Sequence, residues 1–267
     1  MIALNDDMCA CITSIRLQIG TEIDCRKAAS IISRTPGITE LSVYYVPGWD
    51  LVHRSYAESC RDFVCMLFHP DDTTFQFSRL RRFFLKDFDL GLLPSILSQS
   101  VDFSKLEELR LVRCEEAGNM LVSLSLQQVN WKLLCIEEEL IGNDNGQLRS
   151  FLRTMNAPKR LSIGRATSYA KEDDTGKICW TDLIPHAATL KSLRLNIDQP
   201  SGYLSHDRSG KSVADFRDLC KSASDLSQLA LTCPSIEEEK WRGEHGFTAF
   251  LVRNPNHPKL LQVVLTS

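Results

Sequence analysis

Residues Ser209-Gly210-Lys211-Ser212 have the ending of a phosphate-binding loop, in which glycine amides wrap phosphates and a lysine neutralises them. That chemistry needs an earlier glycine, G-x-x-x-x-G, and Ser205 stands at its position, with Gly202 out of register. The segment reads as a polar loop entering a helix. Cys60, Cys65 and His69 are metal-ligating types, with Asp71 and Asp72 close by. Zinc sites bring closely spaced cysteine pairs in matching sets, and no second pair follows here, so this stretch reads as an amphipathic helix. Cys9 and Cys11 lack such support too. The runs Glu137-Glu138-Glu139 and Glu237-Glu238-Glu239 resemble paired catalytic carboxylates only superficially, because consecutive residues do not share a helix face. The six histidines show no spacing to a nucleophile elbow. No catalytic residue, metal or cofactor is expected. What remains is recognition chemistry, in Arg16, Tyr44, Arg82, Phe84, Lys86, Arg110, Arg160 and Arg194. Arginine, tyrosine and phenylalanine are enriched at binding surfaces.

All eight lie in one recurring context: apolar, two variable residues, apolar, one variable residue, apolar. The copies are Ile12-Ile15-Leu17, Ile38-Leu41-Val43, Leu80-Phe83-Leu85, Leu106-Leu109-Leu111, Leu190-Leu193-Leu195, Leu226-Leu229-Leu231 and Leu260-Val263-Leu265. Weaker copies are Trp131-Leu134-Ile136 and Pro158-Leu161-Ile163. First positions 12, 38, 80, 106, 131, 158, 190, 226 and 260 give steps of 26, 42, 26, 25, 27, 32, 36 and 34. Most steps lie at or above the upper end of the leucine-rich-repeat period, roughly 20–29 residues. The last two apolar residues of each copy alternate as in a strand.

Helical stripes fall between the strands. Ala28, Ala29, Ile31 and Ile32 mark one over residues 23–34, before a stop at Pro36-Gly37. Leu148, Phe151, Leu152 and Met155 mark a second over 147–156, and Val213, Phe216, Leu219 and Cys220 a third over 212–224. Strand and helix in alternation predict an α/β fold, a leucine-rich-repeat solenoid with a curved parallel sheet on the concave side and helices on the convex side. Residues 1–267 are expected to form a single irregular domain of this kind. An inserted helical segment at about 46–77 fills the 42-residue step, with a helix near 53–68 and a polar loop HPDDTT. Further polar loops are expected at 167–176 and 198–211.

If the apolar triplets point inward, alternation sends Ser14, Arg16 and Gln18 outward, then Glu40, Ser42 and Tyr44, Arg82, Phe84 and Lys86, and Glu108, Arg110 and Val112. Later strands turn out Leu133, Cys135, Glu137, Arg160, Ser162, Gly164, Ser192, Arg194 and Asn196. The last two add Gln228, Ala230, Thr232, Gln262, Val264 and Thr266. This face carries six cations against Glu40, Glu108 and Glu137, a local +3 in a chain of net charge −3. It therefore suits an acidic segment of another protein. A blander arrangement would have Arg110 pairing with glutamates on neighbouring rungs, since adjacent strands lie about 4.8 Å apart.

The overall charge and a pI of about 6.1 argue against nucleic acid and anionic membranes as partners. The longest apolar run, FVCMLF, is far short of the roughly 20 residues that span a bilayer. Asp6 and Asp7 stand where a signal peptide would be basic. A reducing compartment, cytoplasmic or nuclear, is expected, with the ten cysteines as free structural thiols.

The stretches LEELRLVRC (106–114) and the cysteine-containing helix leading to a leucine-rich strand and Cys-Pro (216–234) resemble the leucine-rich-repeat regions of fungal F-box-like proteins. The resemblance implies that the repeats select a substrate while a separate F-box recruits a ubiquitin ligase. No F-box is found. Its nearest imitation, Leu92-Leu93-Pro94-Ser95-Ile96-Leu97, lies between strands only 26 residues apart, too close for a three-helix module. The first repeat at Ile12 leaves little room for a terminal cap, which predicts either an upstream portion or a cap of another kind. The expected function is non-catalytic protein binding through the strand face, as substrate recognition for a ubiquitin ligase. The competing readings are an enzyme built from the late loops and a nucleic-acid-binding solenoid.

Overall fold

A computed structural model of the protein describes residues 6–46, 56–68, 77–91, 97, 100–115, 117–125, 132–139, 145–156, 158–166, 180–197, 218–232 and 262–266. The last two apolar residues of each of the nine patterns lie in a strand. The strands are β1 (Ser14–Ile19), β2 (Glu40–Tyr45), β3 (Arg82–Lys86), β4 (Glu108–Val112), β5 (Leu133–Glu139), β6 (Arg160–Ala166), β7 (Ser192–Ile197), β8 (Gln228–Thr232) and β9 (Gln262–Thr266). The chain divides into two compact units, Met1–Asn130 and Trp131–Ser267. The fold is α/β with parallel strands.

In the first unit β1 to β4 pair in chain order. The register is the one the repeat spacing predicts: Ile15, Leu41, Phe83 and Leu109 form one rung, and Leu17, Val43, Leu85 and Leu111 the next. All of these are buried except Leu17, which is half-buried. A second device holds the same register. The carbonyl just before each strand accepts two amides from the next coil: Thr13 O from Thr39 and Glu40 (2.8 and 3.0 Å), Thr39 O from Arg81 and Arg82 (2.9 and 3.0 Å), Arg81 O from Glu107 and Glu108 (2.8 and 2.9 Å).

The exits from the strands also repeat. Asp87 and Arg113, each just past its strand, adopt left-handed φ values of 60° and 51°. That conformation costs a non-glycine residue roughly 1–2 kcal/mol. The two residues are joined by a bidentate pair, Arg113 Nε to Asp87 Oδ1 at 2.6 Å and Nη2 to Oδ2 at 2.7 Å, which recovers only part of that cost because the pair is half-exposed. Gly20 ends β1 where the next coil approaches closely, and a Cβ there would lie 2.9 Å from the Val46 carbonyl.

Helices follow from caps and stripes. Helix α1 (Asp6–Cys11) precedes β1 and buries Cys9. In α2 (Glu22–Ser33), Thr21 caps the first turn by accepting from the Asp24 amide, and Cys25, Ala28, Ala29 and Ile32 form the buried face. Ile31, expected on that face, is only partly covered, and Cys25, one turn before Ala28 and Ala29, joins it instead. The expected insert contains α3 (Tyr56–Phe68), which packs on α2, with Cys25 Sγ donating to the Phe63 carbonyl at 3.2 Å. Phe68 meets Phe77 and Phe83 edge-on, with ring centroids 5.6 and 6.1 Å apart. The helix thus serves as the crossover between β2 and β3. Helix α4 (Ala117–Ser125) buries Ala117, Met120, Leu121 and Leu124.

In the second unit β5 to β9 pair parallel in chain order, with Leu134, Leu161, Leu193, Leu229 and Val263 on one rung. The two-amide acceptors recur at Lys159 and Lys191. Helix α5 (Asn145–Thr154) buries Leu148, Phe151 and Leu152, followed by Met155, as its stripe predicts. It packs on α6 (Trp180–Leu183), where the buried Asp182 carboxylate accepts from Arg149 Nε at 2.9 Å and Arg153 Nε at 2.7 Å. A 3₁₀ turn, Ile184–Thr189, then buries His186. Its Nε2 lies 2.6 Å from the Leu152 carbonyl and so carries the proton, while Nδ1 is buried with no partner among the described residues. Of the helix expected at 212–224, residues 218–222 are helical and the earlier part lies outside the described residues. The HPDDTT loop, the loops at 167–176 and 198–211, and nearly all of the F-box-like 92–97 also lie outside them.

Leu109 and Leu193 are essentially sealed, at 0% and 1% exposed. Leu109→Ala and Leu193→Ala should each lower the unfolding free energy by about 2–5 kcal/mol in chemical denaturation. A loss within error would contradict a shared core. Burial pushes the His186 imidazole below its ordinary pKa of 6.5, against a smaller upward effect of the Leu152 carbonyl. The unfolded chain therefore binds a proton near pH 6.5 that the native state refuses. The stability from this group is fully present above that value and is lost as pH falls through the lower folded value. His186→Gln should flatten that acid limb in melts across the window.

Candidate functional site

Alternation along β1 to β4 leaves three outward rungs. The first is Ser14, Glu40, Arg82 and Glu108; the second Arg16, Ser42, Phe84 and Arg110; the third Gln18, Tyr44, Lys86 and Val112. Between the tall side chains the small Ser14 and Ser42 leave a groove of about 320 Å³, lined also by Arg16, Glu40, Tyr44, Arg82, Phe84, Glu108 and Arg110. Five of the eight residues singled out in the sequence line it, and Lys86 adjoins it across Tyr44. Arg160 and Arg194 belong to the second unit. They are exposed on different rungs, Arg160 in register with Ser192, and Arg194 with Ser162 and Ala230.

The groove is electrostatically divided. On the first rung Arg82 Nη2 pairs with Glu40 Oε2 at 3.0 Å, with Glu108 in register on the far side. The second and third rungs carry Arg16, Arg110 and Lys86 with no acid among their described members. The Arg16 guanidinium lies 4.5 Å from the centre of the Tyr44 ring, and Lys86 Nζ lies 6.0 Å from it. Tyr44 and Phe84 meet edge to face at 5.1 Å. Arg110 is exposed and has no ion pair among the described residues. Pairing with a neighbouring glutamate, considered above for Arg110, occurs at Arg82 instead.

Two outward positions of the second unit differ from simple alternation. Leu133 and Cys135 are 8% and 9% exposed, so β5 is buried along both edges of its pleat there. Ser42, at 9%, owes its burial to its large neighbours, and it is the groove's floor. The cue was present in the sequence, since one aligned rung reads arginine, serine, phenylalanine, arginine.

The other chemistry-bearing residues stay apart. Among the described residues no group of three or more His, Cys, Asp or Glu is placed to hold a metal. Cys60 is buried and Cys65 half-buried in α3, while His69 lies outside the described residues. So do Ser209 to Ser212, the run at Glu237, and His53, His206, His245 and His257. The eight described cysteines are free thiols. Burial pushes Cys25 up to about 12, only partly countered by Arg26, and drives Cys220 to about 12 as well. Both are held as neutral thiols, which are poor nucleophiles. Among the described residues no helix is long and apolar enough to cross a membrane. Comparison with protein-family models and with curated proteins finds no match.

Arg110 should be free of structural duty, whereas Tyr44 braces Arg16 and Phe84. Arg110→Ala is expected to change stability by less than about 0.5 kcal/mol. Tyr44→Ala should cost more, about 1–2 kcal/mol from the lost ring and cation contacts. Denaturation curves for both variants give the comparison, and a costly Arg110→Ala would mean that Arg110 serves the fold.

Proposed function

We propose that the protein is a non-catalytic binding module of the leucine-rich-repeat type, whose strand face takes an acidic segment of another protein. One observation carries the reading: Arg16 and Arg110 stand on an outward rung without a carboxylate, beside the Tyr44–Phe84 pair. A cation-bearing, partly aromatic groove offers both charge pairing and apolar contact, the combination found at binding hot spots. The coil lengths and strict register support the repeat class. So does the position of cysteine after a leucine-rich strand at Cys114, whose thiol lies 3.6 Å from the Leu85 carbonyl of the preceding coil.

The resemblance to fungal F-box-like repeats extends the proposal to substrate recognition for a ubiquitin ligase, with the F-box supplied outside these repeats. The free described thiols suit the reducing cytoplasm or nucleus that this role requires.

Affinity purification with mass spectrometry, comparing the natural chain with an Arg16→Glu/Arg110→Glu variant at low and high salt, tests the reading. Partners bearing acidic stretches should be lost on charge reversal and weakened by salt. An unchanged partner set would reject it.

A further inference from the structure

The spacing of the two arginines narrows the partner further. Arg16 and Arg110 stand at the same register position on the outermost strands of the first unit, separated by β2 and β3. Three strand spacings of about 4.8 Å put their backbones about 14 Å apart. An extended peptide advances about 3.4 Å per residue and alternates its side chains between two faces. Side chains four residues apart therefore share a face and span about 13.6 Å. Spacings of three or five place the second side chain on the opposite face, and spacings of two or six miss by about 7 Å.

We infer that the groove reads an extended acidic peptide crossing the strands, with carboxylates four residues apart and an apolar residue midway between them. The inference rests on the binding role proposed above and specifies its ligand. The first carboxylate meets Arg16 and the fifth-position carboxylate meets Arg110. The middle side chain falls about 7 Å along, between Ser42 and Phe84. There the depression over Ser42 is walled by Tyr44 and Phe84, which suits a leucine-sized group. On the first rung Arg82 is already paired with Glu40, so the cations open to the peptide's carboxylates are those of the second rung.

Fluorescence anisotropy with the full chain tests this using labelled peptides built around Glu-Thr-Leu-Thr-Glu, whose β-branched threonines favour extension. Peptides of the same composition with the glutamates three or five residues apart should bind at least about tenfold more weakly, one lost charge contact each. Arg110→Glu should cost a similar factor with the matched peptide. One of the two single-lysine peptides, Lys-Thr-Leu-Thr-Glu or Glu-Thr-Leu-Thr-Lys, should then recover it, showing the peptide's direction. Thermal melts of the variant guard against unfolding. Equal binding at all spacings, with Arg110 still required, overturns the spacing rule while leaving an acid-binding face. No binding of any acidic peptide, or a tighter complex with a single-stranded RNA of equal length, overturns both.

Discussion

The parallel ladder's register is the constraint on which the other features depend. A strand repeats its side-chain direction every two residues, so a slip of one would turn the leucine rungs to solvent and bury Arg16, Arg82 and Arg110. Two mechanisms oppose the slip. One is burial of Ile15, Leu41, Phe83 and Leu109 on a common rung, worth about 1.5–3 kcal/mol for each side chain. The other is the pre-strand carbonyl that accepts two amides of the following coil, which ties each strand's start to its neighbour's without regard to side-chain type. Thr13, Thr39, Arg81, Lys159 and Lys191 all occupy this position, and it tolerates such different residues because the acceptor is their backbone carbonyl.

Once the register is set, charges on the outer face can no longer choose their neighbours. In the first unit each outward side chain has a fixed neighbour on the next strand, and the register sets which acids and bases stand side by side. Glu40, Arg82 and Glu108 share one rung, and the pair that results there, with side chains 33% and 53% exposed, contributes about 0–1 kcal/mol. Arg16 and Arg110 share a different rung with Ser42 and Phe84, and no acid is within their reach along it. Along that rung their charge is not neutralised.

Crossovers of different length are accommodated because the core needs only a filled layer behind each strand pair. Between β1 and β2 that layer is α2, built largely from small residues, with Cys25, Ala28 and Ala29 on its face. Between β2 and β3 the longer connection brings α3 with Phe68, which locks onto Phe77 and Phe83. Cysteine recurs in these layers as a compact hydrophobe whose thiol can donate to a nearby carbonyl, as Cys25 does to Phe63 and Cys114 to Leu85. Where a polar group is drawn in, it is matched or it is exposed to acid. Asp182 is held by two guanidiniums, whereas His186 Nδ1 has no partner among the described residues.

The amino-acid sequence alone determined which residues are extended and which rungs they share, because apolar spacing reports on a backbone period and each repeat states it again. It also marked the faces of α2 and α5 to within a residue, with Cys25 the exception, since a lone cysteine does not stand out on a helical stripe. The outward set Arg16, Tyr44, Arg82, Phe84, Lys86 and Arg110 follows from that same alternation. Only the tertiary structure decided which of those cations is neutralised: the pairing of Arg82 with Glu40, rather than of Arg110 with a glutamate, depends on rotamers a few ångströms apart. It alone showed the groove over Ser42, whose depth comes from the heights of neighbours on three strands, and the burial of Leu133 and Cys135 on positions that alternation turns outward. Periodicity is a property of one chain segment, whereas depth, pairing and burial are properties of what packs beside it.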